Sequence, residues 1–240
     1  MKISVIIIQY NINKELVKVT KDCISSLMFS LYSHEHEIIV VDNNSPIQDD
    51  EIKSLADIYI QRDKNNSVAQ SFNEGVAKSS GDIILHADND VLVSQRWGDK
   101  MVDTFNRDKD CSIVGFALAE TGDDLLIDIG DEKVNGMPAG CLFAMKRNVF
   151  DTLNGFDEKF KICYFDDSDF LLRAIKKGFK IKMCYNNRVF HYLSKTTRSP
   201  GYKDKLHEAR EYNHKYFLEK HGGECGAEWE KARNSFKLRA

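Results

Sequence analysis

The sequence predicts an α/β fold built on a mostly parallel sheet flanked by helices, and three observations predict it. Short Val- and Ile-rich runs alternate with amphipathic segments through the first half. The runs are apolar at consecutive positions, as strands covered on both faces must be. Three polar clusters, Gln9-Tyr10-Asn11, Asp42-Asn43-Asn44 and Asp88-Asn89-Asp90, fall where such runs stop. In open parallel sheets, ligands bind beyond the carboxyl ends of the strands. The clusters are therefore candidates for function before any motif is named.

Taken in order, Lys2–Gln9 reads as a buried strand and Asn13–Leu31 as a helix, with Leu16, Val19, Cys23, Ile24 and Leu27 at helical spacing. Glu37–Val41 is a second buried strand, ended by the turn cluster that runs to Pro46. Asp49–Ala56 is a short helix and Ile58–Gln61 a short strand. Ser67–Ser79 is a helix stopped before Gly81, and Asp82–Ala87 is the next strand. Beyond it the pattern predicts helices over Trp97–Asn106, Arg147–Leu153, Ser168–Lys177 and Lys203–His221. It predicts strands over Ser112–Leu118, Ala139–Lys146, Lys180–Cys184 and Arg188–Tyr192. Glu228–Ala240 reads as a polar surface helix or frayed end.

The chain has 240 residues and a 42% hydrophobic fraction, enough for a substantial core. No apolar run approaches the roughly 20 residues of a membrane-spanning helix. The first strand follows Met1 at once and leaves no room for a signal peptide, so a cytoplasmic location is expected. Six cysteines show no C-x-x-C pair, which argues against structural zinc and for buried free thiols. Charge is divided unevenly. Residues 1–140 carry 13 Lys and Arg against 24 Asp and Glu, and residues 141–240 carry 21 against 13. An acidic first half can host a divalent cation. A basic second half can meet an anionic acceptor or a membrane surface, or simply keep the surface solvated.

Asp88-Asn89-Asp90 puts two carboxylates around one residue at a strand end, where both can reach one Mg²⁺ or Mn²⁺. Few protein ligands leave positions for substrate phosphates. The same tripeptide is also an ordinary solvated turn. Asp166-Asp167-Ser168-Asp169 stands just before an apolar helix; Asp166 or Ser168 can cap that helix, or one acid can act as a general base. His191 ends a strand, either as a structural residue or as a third metal ligand that favours Mn²⁺. The other histidines, at 34, 36, 86, 207, 214 and 221, read as surface residues. Without G-x-G-x-x-G, a Walker loop or G-x-S-x-G, the nicotinamide, P-loop and serine-hydrolase classes lack support.

Eight motifs then stand in order. They are Val-Ile-Ile-Ile-Gln-Tyr-Asn; Ile-Ile-Val-Val-Asp-Asn-Asn-Ser; Asn65 with Asn73-Glu-Gly; and Ser-Gly-Asp-Ile-Ile-Leu-His-Ala-Asp-Asn-Asp. After them come Ala-Gly-Cys-Leu-Phe-Ala-Met-Lys-Arg, Gly-Phe-Asp-Glu-Lys-Phe, Tyr-Phe-Asp-Asp-Ser-Asp-Phe-Leu-Leu-Arg and Val-Phe-His-Tyr. Together they resemble the family 2 glycosyltransferases of GT-A fold, above all the rhamnosyltransferase-like branch, over about Lys2–Tyr192.

The resemblance implies a nucleotide-sugar-binding half at 1–92 and an acceptor and catalytic half with a smaller sheet at 93–195. The two form one domain at 1–195, with a helical extension at 196–240. It implies inverting transfer from a nucleoside diphosphate sugar, a UDP-sugar being favoured, to a glycan, polymer or lipid-linked hydroxyl. Asp42 matches the residue that holds the base or ribose, and Tyr10 the loop that packs on the base. Gln9, Asn11, Asn44, Asn65, Asn73, Asp88 and Asn89 complete the expected donor set. Asp88, Asp90 and His191 match the metal ligands. Asp167 matches the catalytic base, with Asp166 where the family usually has Glu. Ser67 stands for a frequent Gly, and Gln9 for a Pro or small polar residue. Two rival readings share these residues: a transferase acting on a hydroxylated base in DNA, which salt-sensitive duplex binding would reveal, and a non-catalytic sugar-nucleotide or carbohydrate-binding module.

Overall fold

A computed structural model describes residues 1–119, 138–192 and 203–222. The strands β1 (Ile3–Gln9), β2 (His36–Asp42), β3 (Ile58–Gln61) and β4 (Ile83–Asp88) alternate with helices α1 (Lys14–Ser30), α2 (Asp50–Leu55) and α3 (Val68–Ala77). Then follow β5 (Val91–Val93), α4 (Trp97–Arg107), β6 (Cys111–Ala119), β7 (Leu142–Lys146) and α5 (Arg147–Leu153). The last described elements are α6 (Asp166–Lys176), β8 (Lys180–His191) and α7 (Lys203–His221). One eight-stranded sheet runs in the order β3-β2-β1-β4-β7-β6-β8-β5. β1, β2, β3 and β4 pair in parallel, as do β6 and β8; the β4–β7, β6–β7 and β5–β8 pairs are antiparallel.

All seven residues of β1 are buried, because helices cover both faces of the sheet. Val5, Ile7, Ile38, Val40 and Leu85 join Cys23, Ile24, Leu27, Trp97 and Met101 on one side. Ile6, Ile39, Val41 and Ile84 join Phe72, Phe143, Phe156 and Phe170 on the other. Helix starts follow local chemistry. Asn13, Asp49 and Ser67 each accept a hydrogen bond from the backbone amide three residues on. Gly75 lets α3 lie directly on β1 and β2, where an added methyl would come within 2.6 Å of Ile6 Cγ2.

Four differences from the sequence expectation have physical causes. The smaller acceptor-side sheet is the far half of this same sheet, joined through β4 and β7. The two short strands at Lys180–Cys184 and Arg188–Tyr192 are one strand, β8, whose register against β6 shifts between Phe116 and Ala117. The short strand β5 was not expected. His86 and His221 are not surface residues. His86 sits in the doubly covered strand β4, stacked at 5.2 Å on Phe143 and 5.8 Å on Phe156. His221 is buried against Asp169 at 2.8 Å.

Cys23, Cys111, Cys141, Cys163 and Cys184 are free, as the cysteine spacing implied; Cys225 lies outside the described residues. So does the expected Glu228–Ala240 segment. Among the described residues no helix is long and apolar enough to cross a membrane.

At the amino ends of β1, β2 and β4, buried Glu37 accepts from Ser4 Oγ at 2.6 Å, Ser80 N at 2.6 Å and Lys2 Nζ at 2.8 Å. Burial alone would raise this carboxyl, but Lys2, Ser4 and the Ser80 amide outweigh it and hold it down at about 2, against 4.5 ordinarily. A depressed carboxyl stabilises the fold at and above the unfolded value, and that contribution fades as pH falls from 4.5 towards 2. Glu37→Gln is therefore expected to cost about 1–3 kcal/mol at neutral pH. The deficit should shrink through that acid window in denaturant titrations; parallel acid limbs for the two proteins would refute the assignment.

Candidate functional site

The parallel register places the three polar clusters side by side. Gln9 pairs with Asp42 across β1 and β2, and Ile8 with Asp88 across β1 and β4. A chain of side-chain hydrogen bonds crosses these strand ends. Gln9 Nε2 donates to Asp42 at 2.7 Å, and Asn11 Nδ2 donates to Gln9 Oε1 at 3.1 Å. Asn11 Oδ1 accepts from Thr20 at 2.9 Å, and Asn89 Nδ2 donates to Thr20 Oγ1 at 2.7 Å. Asn89 thus turns inward onto α1 and ties the turn to β1, while Asp88 and Asp90 flank it.

β5 then completes the cluster. It pairs antiparallel with β8, which sets Val91 opposite His191, and Tyr192 N donates to Asp90 O at 3.0 Å. His191 Nε2 reaches Asp90 Oδ1 at 2.9 Å and Asp88 Oδ2 at 4.0 Å. One ligand atom from each of Asp88, Asp90 and His191 lies within 4.8 Å of the others. Burial disfavours the imidazolium, but the bonds with Asp90 and Cys141 outweigh it and push His191 up to about 11. Loss of water, then the charge of Asp90, raises Asp88. A cation bound between these carboxylates would take the place of the imidazole proton, since a ligating histidine has to be neutral. Two carboxylates and an imidazole form a donor set that fits Mn²⁺ or Mg²⁺.

The second acid cluster faces the first. Asp166 and Asp167 lie near enough to Asp88 for their charges to raise its carboxyl further. Asp166 is not a cap. It is the first residue of α6, and Phe165 occupies the capping position without a side-chain bond. Asp166 is buried, and burial followed by the neighbouring Asp167 charge lifts it well above the usual carboxylate range. Asp167 is less enclosed and receives Ser168 Oγ at 3.3 Å. Its carboxylate rests against Gly140, where an added methyl would come within 2.7 Å of Asp167 Cγ. The adjoining Cys141 carbonyl accepts from Asp88 N at 2.8 Å. The Gly140-Cys141 step thus touches both acid clusters.

The other expected donor residues are placed differently. Asp42 is fully buried and accepts from Gln9, Tyr59 (2.6 Å), Gln48 (3.2 Å) and Ser45 N (2.6 Å). Asn44 is exposed in a left-handed turn at φ 64°. Its neighbour Asn43 binds Asn65 Oδ1 at 2.9 Å and Asn66 O at 2.7 Å, and so fastens the loop before α3. Asn73 does not turn towards the strand ends. Its amide clamps the backbone of Phe156 at 2.9 Å in both directions, and Glu158. Tyr10 is half-buried between Gln9 and Asn11. Thr20, Gln48, Tyr59 and Gly140 escaped the sequence reading. Of these only Gly140 stood inside a quoted motif, as Asn43 did within its polar cluster.

The family model described as Glycosyl transferase family 2 matches residues 4–173. A glucosyl-dolichyl phosphate glucuronosyltransferase of Haloferax volcanii is 27% identical over 120 residues, covering 48% of this chain; the chain spans only 37% of that relative. Among solved structures, S. aureus TarS 1-349 superposes with a TM-score of 0.62 at 14% identity, over 92% of this chain and 74% of that one. Mannosyltransferase PcManGT from Pyrobaculum calidifontis, in complex with GDP-Man and Mn²⁺, gives 0.61 at 18% identity, over 85% and 59%. TarS 1-349 in complex with UDP gives 0.59 at 16% identity, over 79% and 60%. These structural likenesses establish the GT-A fold, and with the family match spanning most of its length, the chain belongs to glycosyl transferase family 2.

Proposed function

We propose that the chain moves a sugar from a nucleoside diphosphate sugar to an acceptor hydroxyl with inversion. The observation that carries this is the meeting of two acid clusters at one sheet edge: Asp88, Asp90 and His191 on one side, Asp166 and Asp167 on the other. Asp88, Asp90 and His191 would hold Mn²⁺ or Mg²⁺, which when bound neutralises charge on a leaving diphosphate. The strand ends from Gln9 to Asn89 shape the donor cleft. Asp167 takes the proton of the acceptor hydroxyl, whose oxygen attacks the anomeric carbon from the face opposite the diphosphate. Burial and the neighbouring Asp167 charge raise Asp166, so the two acids do not ionise equally, and the more open Asp167 is the one an acceptor reaches.

The relatives support this donor class, since one was solved with GDP-Man and Mn²⁺ and another with UDP. The curated relative's name pairs a sugar with a dolichyl phosphate, which supports a lipid-linked acceptor.

Thermal shift with a panel of nucleoside diphosphates and their sugars tests the reading. A rise for one nucleotide that requires Mn²⁺ or Mg²⁺ is expected. At ligand a hundredfold above Kd the gain is about 2.7 kcal/mol of stability. No response to any nucleotide would overturn the transferase reading.

A further inference from the structure

Helix α7 lies beyond the residues that the family model matches, which stop at 173. Its buried face is Leu206, Ala209, Asn213, Phe217 and His221, spaced three or four residues apart along one side. In the middle of that stripe stands an amide. A buried amide is costly unless its polar atoms are matched, and those of Asn213 are matched by one stretch of backbone. Its Oδ1 accepts from Lys161 N at 2.8 Å. Its Nδ2 donates to the carbonyls of Lys161 at 2.8 Å, Cys163 at 3.0 Å and Tyr164 at 3.0 Å.

The backbone of that stretch is unusual. Ile162, Tyr164 and Phe165 have φ of 53°, 80° and 68°, and none is glycine. A β-branched residue at positive φ is a genuine outlier, and such strain persists only where the surroundings over-determine it. Val68 N contributes one bond, to Ile162 O at 2.7 Å. α7 contributes the polar contacts of Asn213, whose two N–H groups are shared among three carbonyls, the stacking of His214 on Phe165 at 5.2 Å and the packing of Phe217 on the same ring. Phe165 immediately precedes Asp166, and its carbonyl accepts from Asp169 N at 2.8 Å to start α6. The direction of Asp166 and Asp167 therefore follows from the dihedrals that Asn213 holds.

We propose that α7 clamps the acid pair, with Asn213 as a positioning residue for Asp167 in the transfer reaction. This rests on the reading of Asp167 as the base. Asn213 touches no reacting atom and acts through the backbone of residues 161–165. The helix has independent moorings: Lys220 and His221 on Asp169 at 2.6 and 2.8 Å, and Tyr216 on Asp157 at 2.8 Å. Removing the amide should thus loosen the loop while α7 stays docked.

In Asn213→Ala, kcat is expected to fall about a hundredfold, the scale of a misplacement near 1 Å. The Kd for nucleoside diphosphate with Mn²⁺ should stay unchanged, because other strands build that cleft, and hydrogen exchange at amides 162–166 should accelerate. Adding Ile162→Gly, which accepts positive φ without steric cost, should restore part of the turnover. Wild-type kcat in Asn213→Ala would overturn the clamp. So would a loss that follows donor affinity and is not restored by Ile162→Gly. A wild-type protein that transfers no sugar would instead sink the base assignment. The exchange measurement then still decides the clamp, since unchanged rates at 162–166 refute it.

Discussion

Asp167→Asn is expected to lower kcat by about 10²–10⁴-fold, the contribution of a positioned general base, while leaving donor affinity intact. The substitution keeps the shape of the side chain, so the close fit against Gly140 and the bond from Ser168 survive and folding should not change. What disappears is the capacity to accept a proton at that atom. Asp166 cannot replace it. It is enclosed by protein, and burial, the larger cause of its raised carboxyl, persists when the Asp167 charge is removed. Asp166→Asn replaces an enclosed acid that burial already shifts towards its neutral form, and should keep most of the turnover. The two variants therefore separate the acids. Single-turnover kinetics with saturating donor, beside calorimetric donor binding, make the measurement. Full turnover in Asp167→Asn would discard the base; the reverse ranking of the two variants would transfer the role to Asp166.

The half of the fold that holds the strand ends was legible because its signals are local. β1 is a run of residues buried on both faces, and that pattern has few other readings. Asp88 and Asp90 stood out for the same reason, at the end of a continuous apolar run. The assembly of the cluster was legible only through the family resemblance and not from spacing, since it depends on β5, three residues that follow a turn directly and show no periodicity of their own. Only pairing with a strand almost a hundred residues away puts His191 beside Asp90. β8 reads as two strands because polar Asn186 and Asn187 interrupt it; in the fold Asn187 is buried and donates to Trp97 O at 2.9 Å. His86 was read by residue type, although a histidine inside a strand covered on both faces has to be buried. Asn213 gave no local sign, since one Asn in a charged helix is unremarkable until the loop it holds is placed. Pairings between distant segments and amide-to-backbone bonds of this kind lie outside what spacing along a chain can encode.

Asp90→Ala is expected to remove the metal-dependent part of donor binding. Outer partners of metal ligands typically cost 10- to 100-fold when lost, so a direct ligand should cost at least about a hundredfold in the presence of Mn²⁺. The fold should tolerate the change, because the bond that joins β5 to β8 at this point uses the Asp90 carbonyl and not its side chain. General damage to the site would also weaken binding, so the comparison needs a second axis. Chelation should bring wild-type donor affinity down to that of Asp90→Ala and leave the variant unmoved. The two perturbations act on one interaction and should not add. A variant that still tightens its donor on addition of Mn²⁺ as much as wild type would refute the ligand assignment. His191 then sharpens the choice of ion. Imidazole favours Mn²⁺ over Mg²⁺ more than a carboxylate or carbonyl oxygen does. His191→Gln, which leaves an amide oxygen among the ligands, should therefore lose more affinity with Mn²⁺ than with Mg²⁺. Equal losses with both ions would confine His191 to holding Asp90 in place, a role its 2.9 Å bond already supports.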